Sequence, residues 1–281
     1  MKTLDDQYNE FCNLTNDIFL EYPNAEPCRY FIFKELLIKQ KSISILSIIR
    51  YYLRSLIKYT STKIKKQEAD VIFWFEKRHK ASKESLLPVI ELLTKKNYKV
   101  KLLSDEVIEL KSNYDIDIIK FNTPLTAPKW VSSFWKKISQ RVDGLNKFSL
   151  FIYYYYYCLE LVGRYRELDK ILNNIKPKVI IESSTGLRNS AALVVRGNKL
   201  NITTITLQHG IVHAFYLPVI SNYFLCWGES SLMTLKKFNK NEKRFISIGS
   251  PKHDRLKENY INDNLYKKYF DNEKKNMVFF S

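Results

Sequence analysis

Apolar and polar positions follow two regimes along the 281 residues. Up to residue 68 the spacing is helical or irregular, with no clear strand. Within 45–58, Ile45, Leu46, Ile49, Tyr52, Leu53, Leu56 and Ile57 share one helical face, with Arg50, Arg54 and Lys58 every fourth residue on its flank. From Ala69 short apolar runs alternate with amphipathic ones. Residues 71–75 read Val-Ile-Phe-Trp-Phe, a buried strand. A polar loop over 76–83 leads to a helix predicted over 84–95, then strands at 98–103 and 116–121. Pro124 and Pro128 punctuate a loop. A long helix is expected over 146–174, where Phe151, Tyr155, Leu159, Val162, Tyr165, Leu168 and Leu172 recur three or four apart. The run of tyrosines from Tyr153 to Tyr157 points all round such a helix, so most of those rings are expected to pack rather than stack on a sugar.

The next stretch repeats one unit. Residues 179–181 end at Glu182-Ser183-Ser184-Thr185-Gly186 and enter a helix over 187–200. Residues 202–207 end at Gln208-His209-Gly210. Residues 223–227 end at Gly228-Glu229-Ser230-Ser231 before a helix over 232–238, and 245–248 end at Gly249-Ser250-Pro251. Strands closed by glycine and polar residues, with helices between them, predict an α/β fold with a doubly wound parallel, Rossmann-like sheet. Residues 276–281 read as one more buried strand. The expected organisation is a helical basic extension (1–68), a Rossmann-like domain (69–256), and a linker with the first strand of a truncated second domain (257–281).

Glycine usage sharpens where a site is expected. None of the seven glycines precedes Gly144, and five fall between Gly186 and Gly249. Close backbone approach to ligands needs glycine, so chemistry is expected in the later stretch. All four histidines, His79, His209, His213 and His253, fall at or beyond expected carboxyl ends of strands. That edge is where ligands bind in open α/β sheets, and histidine suits proton transfer near neutrality. His209 is the candidate catalytic base. Glu182, Ser183, Ser184, Thr185, Gln208, Gly210, Ser250, Asp254 and His79 are the candidate substrate-binding residues. The Ser-Ser-Thr group precedes a helix whose free N–H groups favour an anion or a hydroxyl, although one of the three also suits an ordinary N-cap.

Composition narrows the classes. A net charge of +17 points to anionic partners, but a biased genomic composition would produce the same excess. Between Lys34 and Lys66 nine residues are basic and one, Glu35, is acidic. An anionic membrane surface could be met there, and the same spacing also serves an ordinary core-packed helix. Cys12, Cys28, Cys158 and Cys226 form no Cys-x-x-Cys pair, which suits a reducing cytoplasm and excludes a cysteine zinc site. His209 and His213 are four apart across a turn rather than along a helix, so no metal site is expected. No Gly-x-Gly-x-x-Gly, Walker or Gly-x-Ser-x-Gly motif occurs, and no recognised nucleic-acid module does either.

The order of four motifs, Ile181–Gly186, Leu207–Ile211, Phe224–Glu229 and Ile248–Asp254, resembles bacterial surface and capsular polysaccharide transferases of the GT-B fold. It is similar also to teichoic-acid glycerophosphotransferases, in which a His-Gly follows a strand, and more distantly to the non-hydrolysing UDP-N-acetylglucosamine 2-epimerases. The resemblance covers roughly residues 69–281 and is best over 178–254. It implies a cytoplasmic enzyme, peripheral to the membrane at most, with a nucleotide-sugar or CDP-linked donor as substrate and no bound cofactor. The acceptor would be a saccharide or lipid-linked, and no nucleic acid is expected. The nucleotide site would lie in the second domain. A sugar-nucleotide epimerase and a non-catalytic basic binding protein remain as alternatives.

Overall fold

The computed structural model describes residues 3–25, 28–38, 46, 49, 53, 68–75, 80–104, 117–120, 129–145, 147–184, 188–212, 216–238 and 244–253. His79, Thr185, His213, Asp254, the proposed second-domain strand and most of 45–58 lie outside these residues.

Helix α1 (Leu4–Glu21) opens on a capping box: the Thr3 side chain accepts the Asp6 N–H at 3.0 Å, and Asp6 accepts the Thr3 N–H at 3.3 Å. A short helix α2 (Cys28–Phe31) runs into a π-helix, Ile32–Ile38. Then β1 (Val71–Trp74), α3 (Lys80–Lys95), β2 (Val100–Ser104), β3 (Asp117–Lys120), α4 (Val131–Arg141) and α5 (Phe148–Ile175) follow. The chain continues with β4 (Val179–Glu182), α6 (Arg188–Lys199), β5 (Thr203–Leu207), β6 (Tyr223–Cys226), α7 (Glu229–Phe238) and β7 (Phe245–Ser247). Helix α5 ends where Lys176 takes φ 51° just before Pro177, which cannot continue a helix.

The seven strands form one all-parallel sheet in the order β3-β2-β1-β4-β5-β6-β7. The chain builds outward from β1 to β3, returns through α4 and α5, and builds the other way from β4. The order reverses between β1 and β4, the crevice where doubly wound sheets bind ligands. The parallel α/β architecture expected from the strand pattern is present.

Alternation along the strands assigns the faces. Val71, Phe73, Phe75, Leu102, Ile181 and Leu207 pack under α3 through Leu86 and Ile90. Ile72, Trp74, Leu103 and Ile180 face α4, α5 and α6. Residues of the N-terminal segment belong to that second core: Phe11, Ile18, Phe19, Phe31, Ile32, Phe33 and Leu36 are buried with Trp74, Phe134 and Tyr154. Thus residues of 4–38 supply part of the wall behind the sheet. Lys34 and Glu35 are buried there too. Tyr153, Tyr154, Tyr156 and Tyr157 are buried and Tyr155 is exposed. Phe31 stacks on Tyr153 and lies 4.4 Å from the Tyr157 centroid, as the packing expectation required.

Three helices depart from the sequence reading. Helix α3 starts at Lys80, not residue 84, because Ser82 is buried against the β4 loop rather than solvated. Helix α7 starts at Glu229, whose carboxylate suits the positive end of the helix dipole, where the sequence suggested a turn. Helix α4 went unread, although Val131, Phe134, Trp135 and Ile138 bury one face of it.

Candidate functional site

His209 stands two residues beyond Leu207, the last residue of β5, and its imidazole turns back to the end of β4. Nδ1 lies 2.6 Å from the Ser183 carbonyl oxygen and 2.8 Å from Tyr216 Oη. A carbonyl oxygen only accepts, so the first contact requires a proton on Nδ1. Nε2 is therefore the atom that gains and loses a proton. Tyr216 fixes the same turn: its oxygen accepts the His209 backbone N–H at 3.2 Å, and the Gly210 N–H bonds to it as well. Burial pushes the Tyr216 hydroxyl up to about 12, those two N–H bonds pull it down, and the charge of Glu182 pushes it up again. It stays neutral at physiological pH.

Beneath the histidine lies Glu182, the last residue of β4, wholly buried. Its Oε2 accepts the Ser184 backbone N–H and its Oε1 meets the Thr206 hydroxyl of β5. Burial raises the carboxyl to about 7, opposed by the Thr206 and Ser184 hydrogen bonds, the charge of Lys34 and the Ser190 hydroxyl of α6. Thr206 Oγ1 also reaches Ser221 Oγ at 2.8 Å, and the Ser221 hydroxyl donates to the Tyr223 carbonyl at 2.9 Å.

Gln208 has a different task. Its Nε2 donates to the Gly210 carbonyl (2.8 Å) and Ser231 Oγ (2.9 Å), and its Oε1 accepts the Trp227 backbone N–H (2.8 Å). The amide ties the end of β5 to the end of β6 and the first turn of α7. Ser183 Oγ meets Ser82 Oγ of α3, closing the crevice floor between the β1 and β4 halves.

The expected substrate ligands therefore separate. Glu182, Ser183, Ser184 and Gln208 are buried, and the polar contacts described above are internal to the domain. Gly210 was expected to set the turn. A Cβ there would meet only Tyr216 Oη at 3.9 Å, so space does not demand glycine; Gly249, at φ +85°, is where the backbone does. Ser250 has a buried hydroxyl with no hydrogen-bond partner among the described residues, and exposed His253 packs edge-on against Trp227, centroids 5.4 Å apart. Where Thr185, Asp254 and His79 stand is outside the described residues. Tyr216, Thr206, Ser221, Ser82 and Lys34 were not anticipated; only Lys34, a charge inside an apolar run, carried a readable signal.

Fold and site together define a doubly wound parallel α/β domain with an oriented histidine at its carboxyl edge. No protein-family model matches the chain, and no curated protein does. Among solved structures it is similar to the UDP-N-acetylglucosamine 2-epimerase from Rickettsia bellii, at 12% identity and a TM-score of 0.40, over 72% of this chain and 51% of that one. The chain thus spans about half the length of that epimerase. A likeness at this level carries nothing about the reaction. Among the described residues no helix is long and apolar enough to cross a membrane, and no three His, Cys, Asp or Glu side chains gather where a metal could be held.

Proposed function

We propose that this chain is the acceptor-side half of a GT-B-type glycosyltransferase or phosphosugar transferase that builds a bacterial surface polysaccharide from a nucleotide-activated donor. The observation that supports it best is the 2.6 Å contact from His209 Nδ1 to the Ser183 carbonyl, which leaves Nε2 as a base at the ligand-binding edge. The sugar chemistry itself rests on the ordered motifs ending at Gly186, Ile211, Glu229 and Asp254. In the reaction Nε2 takes the proton of an acceptor hydroxyl as its oxygen attacks. The new bond joins that oxygen to the donor carbon or phosphorus. The bond to the nucleotide's leaving oxygen breaks, the nucleotide departs with the electron pair, and the imidazolium later returns its proton to solvent. Such a base contributes typically ~10²–10⁴-fold. Ser250, Thr185, Asp254 and His79 are proposed to hold substrate hydroxyls or phosphate at the same edge.

The test incubates the intact gene product with nucleotide-sugar and CDP-linked donors, with and without a saccharide acceptor. Acceptor-dependent nucleotide release, abolished in His209→Ala with donor binding retained, is the expected result. Near-normal turnover in His209→Ala removes the base assignment. Conversion of UDP-N-acetylglucosamine without acceptor assigns the chain to epimerase chemistry instead. Salt-sensitive RNA retention indifferent to His209 assigns it to the binding proteins.

A peripheral attachment to anionic membrane is proposed as a second property. Leu46, Ile49 and Leu53, three members of the apolar face predicted over 45–58, have helical backbone and are 74%, 51% and 56% exposed. The flanking sequence carries Arg50, Arg54 and Lys58. Flotation with phosphatidylserine vesicles should capture the chain and lose it in Leu46→Asp/Leu53→Asp. Equal capture of both proteins overturns the attachment.

A further inference from the structure

A peptide unit presents its C=O and N–H in opposite directions, because the bond between them is planar and trans. The unit joining Ser183 to Ser184 is held at both ends. On one side its N–H points to Oε2 of Glu182. On the other its carbonyl oxygen stands 2.6 Å from Nδ1 of His209. Carboxyl, peptide and imidazole are thereby in series.

We propose that Glu182 is a positioning residue that acts on His209 through the Ser183–Ser184 peptide unit, aiming and polarising the carbonyl that accepts the imidazole Nδ1–H. The inference rests on the reading of His209 as the base. A carboxylate on the peptide N–H draws the amide dipole along the chain, and hydrogen bonds in series strengthen one another. The Ser183 carbonyl becomes a better acceptor, the protonated imidazole is favoured, and Nε2 is the stronger base. When Glu182 is neutral the polarisation falls. The arrangement uses a backbone amide where acyl-transfer triads place a carboxylate directly against the imidazole.

Among the described residues, groups on several elements bear on the charge of Glu182. Lys34, from the π-helix behind the sheet, favours the carboxylate, and so do the Thr206 hydroxyl of β5, the Ser190 hydroxyl of α6 and the Ser184 N–H. Tyr216, across the end of β5, senses the carboxylate as a repulsive charge. Lys34 also donates to Tyr30 Oη at 2.9 Å, which holds its ammonium inside the N-terminal segment. The N-terminal segment therefore contributes to the electrostatics of the site.

The test is an NMR titration of the His209 ring in the full chain, read with the Ser184 amide proton, for the wild type, Glu182→Gln, Glu182→Asp and Thr206→Val. In the wild type the His209 and Ser184 signals should share an inflection that tracks the ionisation of Glu182. Glu182→Gln keeps the shape and an acceptor for the Ser184 N–H, removes the shared inflection and lowers the imidazole pKa by about half a unit or more. Glu182→Asp restores part of it. Thr206→Val removes a donor to the carboxylate and moves the shared inflection to higher pH. An imidazole pKa that is the same in the wild type and Glu182→Gln overturns the relay and leaves the base assignment untouched. Turnover by His209→Ala overturns the base and leaves the titration result standing, so the two failures are told apart.

Discussion

Trp227 donates twice to Gln208: its backbone N–H to Oε1 and its indole Nε1–H to the main-chain carbonyl, both at 2.8 Å. The pair joins the ends of β5 and β6 beside the histidine, where the ladder hydrogen bonds between the two strands give out. Gln208→Leu keeps the bulk and strips every side-chain bond. It leaves the half-buried Trp227 N–H and Gly210 carbonyl without their partner, at up to about 1–3 kcal/mol for each. Urea unfolding should show the midpoint falling by that order with m unchanged. A midpoint within error of the wild type would mean that water replaces the amide.

Gly197 predicts a packing defect rather than a gain in helix propensity. A Cβ there would lie 2.7 Å from Ile180 Cδ1 and 2.9 Å from Thr204 Cγ2. The isoleucine tip could shift, but Thr204 is held by Asn198 Oδ1 at 2.6 Å and Asn222 Oδ1 at 3.1 Å. Alanine gains about 1 kcal/mol over glycine in a helix, whereas overpacking costs about 1–3 kcal/mol. Gly197→Ala should therefore lower thermal stability, and Ile180→Val in the same chain should recover part of the loss.

These two sites also mark what sequence could and could not reveal. The central strands β1 and β4 were legible because both of their faces are covered, so Val71–Trp74 and Val179–Ile181 are continuously apolar. The place of His209 was legible for the same reason: a buried strand must empty into a polar turn. Its orientation was not, since Tyr216 and the Ser183 carbonyl reach it through tertiary packing that no spacing encodes. Helix α4 was hidden by the prolines before it, although Val131, Phe134, Trp135 and Ile138 had helical spacing. Gln208, Ser183 and Glu182 stand at strand ends, where spacing alone does not tell a ligand from a group that holds the loop, and their burial is a product of tertiary packing.

Glu182 gives the folded state a pH dependence of definite sign. Its carboxyl sits at about 7 in the fold against 4.5 as a free side chain, so the native state binds the extra proton between those values. The stability that this protonation contributes is fully present below 4.5 and is lost as pH rises through about 7. The whole difference corresponds to about 3 kcal/mol. Glu182→Gln imitates the neutral acid, its amide donating to Thr206 and its oxygen accepting from Ser184. That variant should match the wild type near pH 4.5 and exceed its stability by up to that amount at pH 8. Asp70 and Glu84, held low chiefly by Lys178 and Lys252, act in the opposite direction at lower pH, and they cancel when the two proteins are compared. A flat difference between the two proteins across this range would show that Glu182 is ionised throughout.

Tyr216→Phe separates the aim of the histidine from its basicity. The substitution removes the oxygen that accepts the His209 and Gly210 backbone N–H groups and approaches Nδ1, while the ring still packs near Phe224 with centroids 5.4 Å apart. Two half-buried N–H groups losing one shared acceptor should cost up to about 1–3 kcal/mol. The Nδ1–H then has the Ser183 carbonyl as its remaining partner of the two, so the tautomer is kept and Nε2 stays the titrating atom. The turn that carries the ring is looser, however, and a catalytic group displaced by about 1 Å can lose of the order of 10²-fold in rate. On the transferase reading kcat should fall while KM for the donor stays near the wild-type value, and the pH profile of kcat/KM should keep its shape. An acid limb that moves with the substitution would instead make Tyr216 part of the proton chemistry.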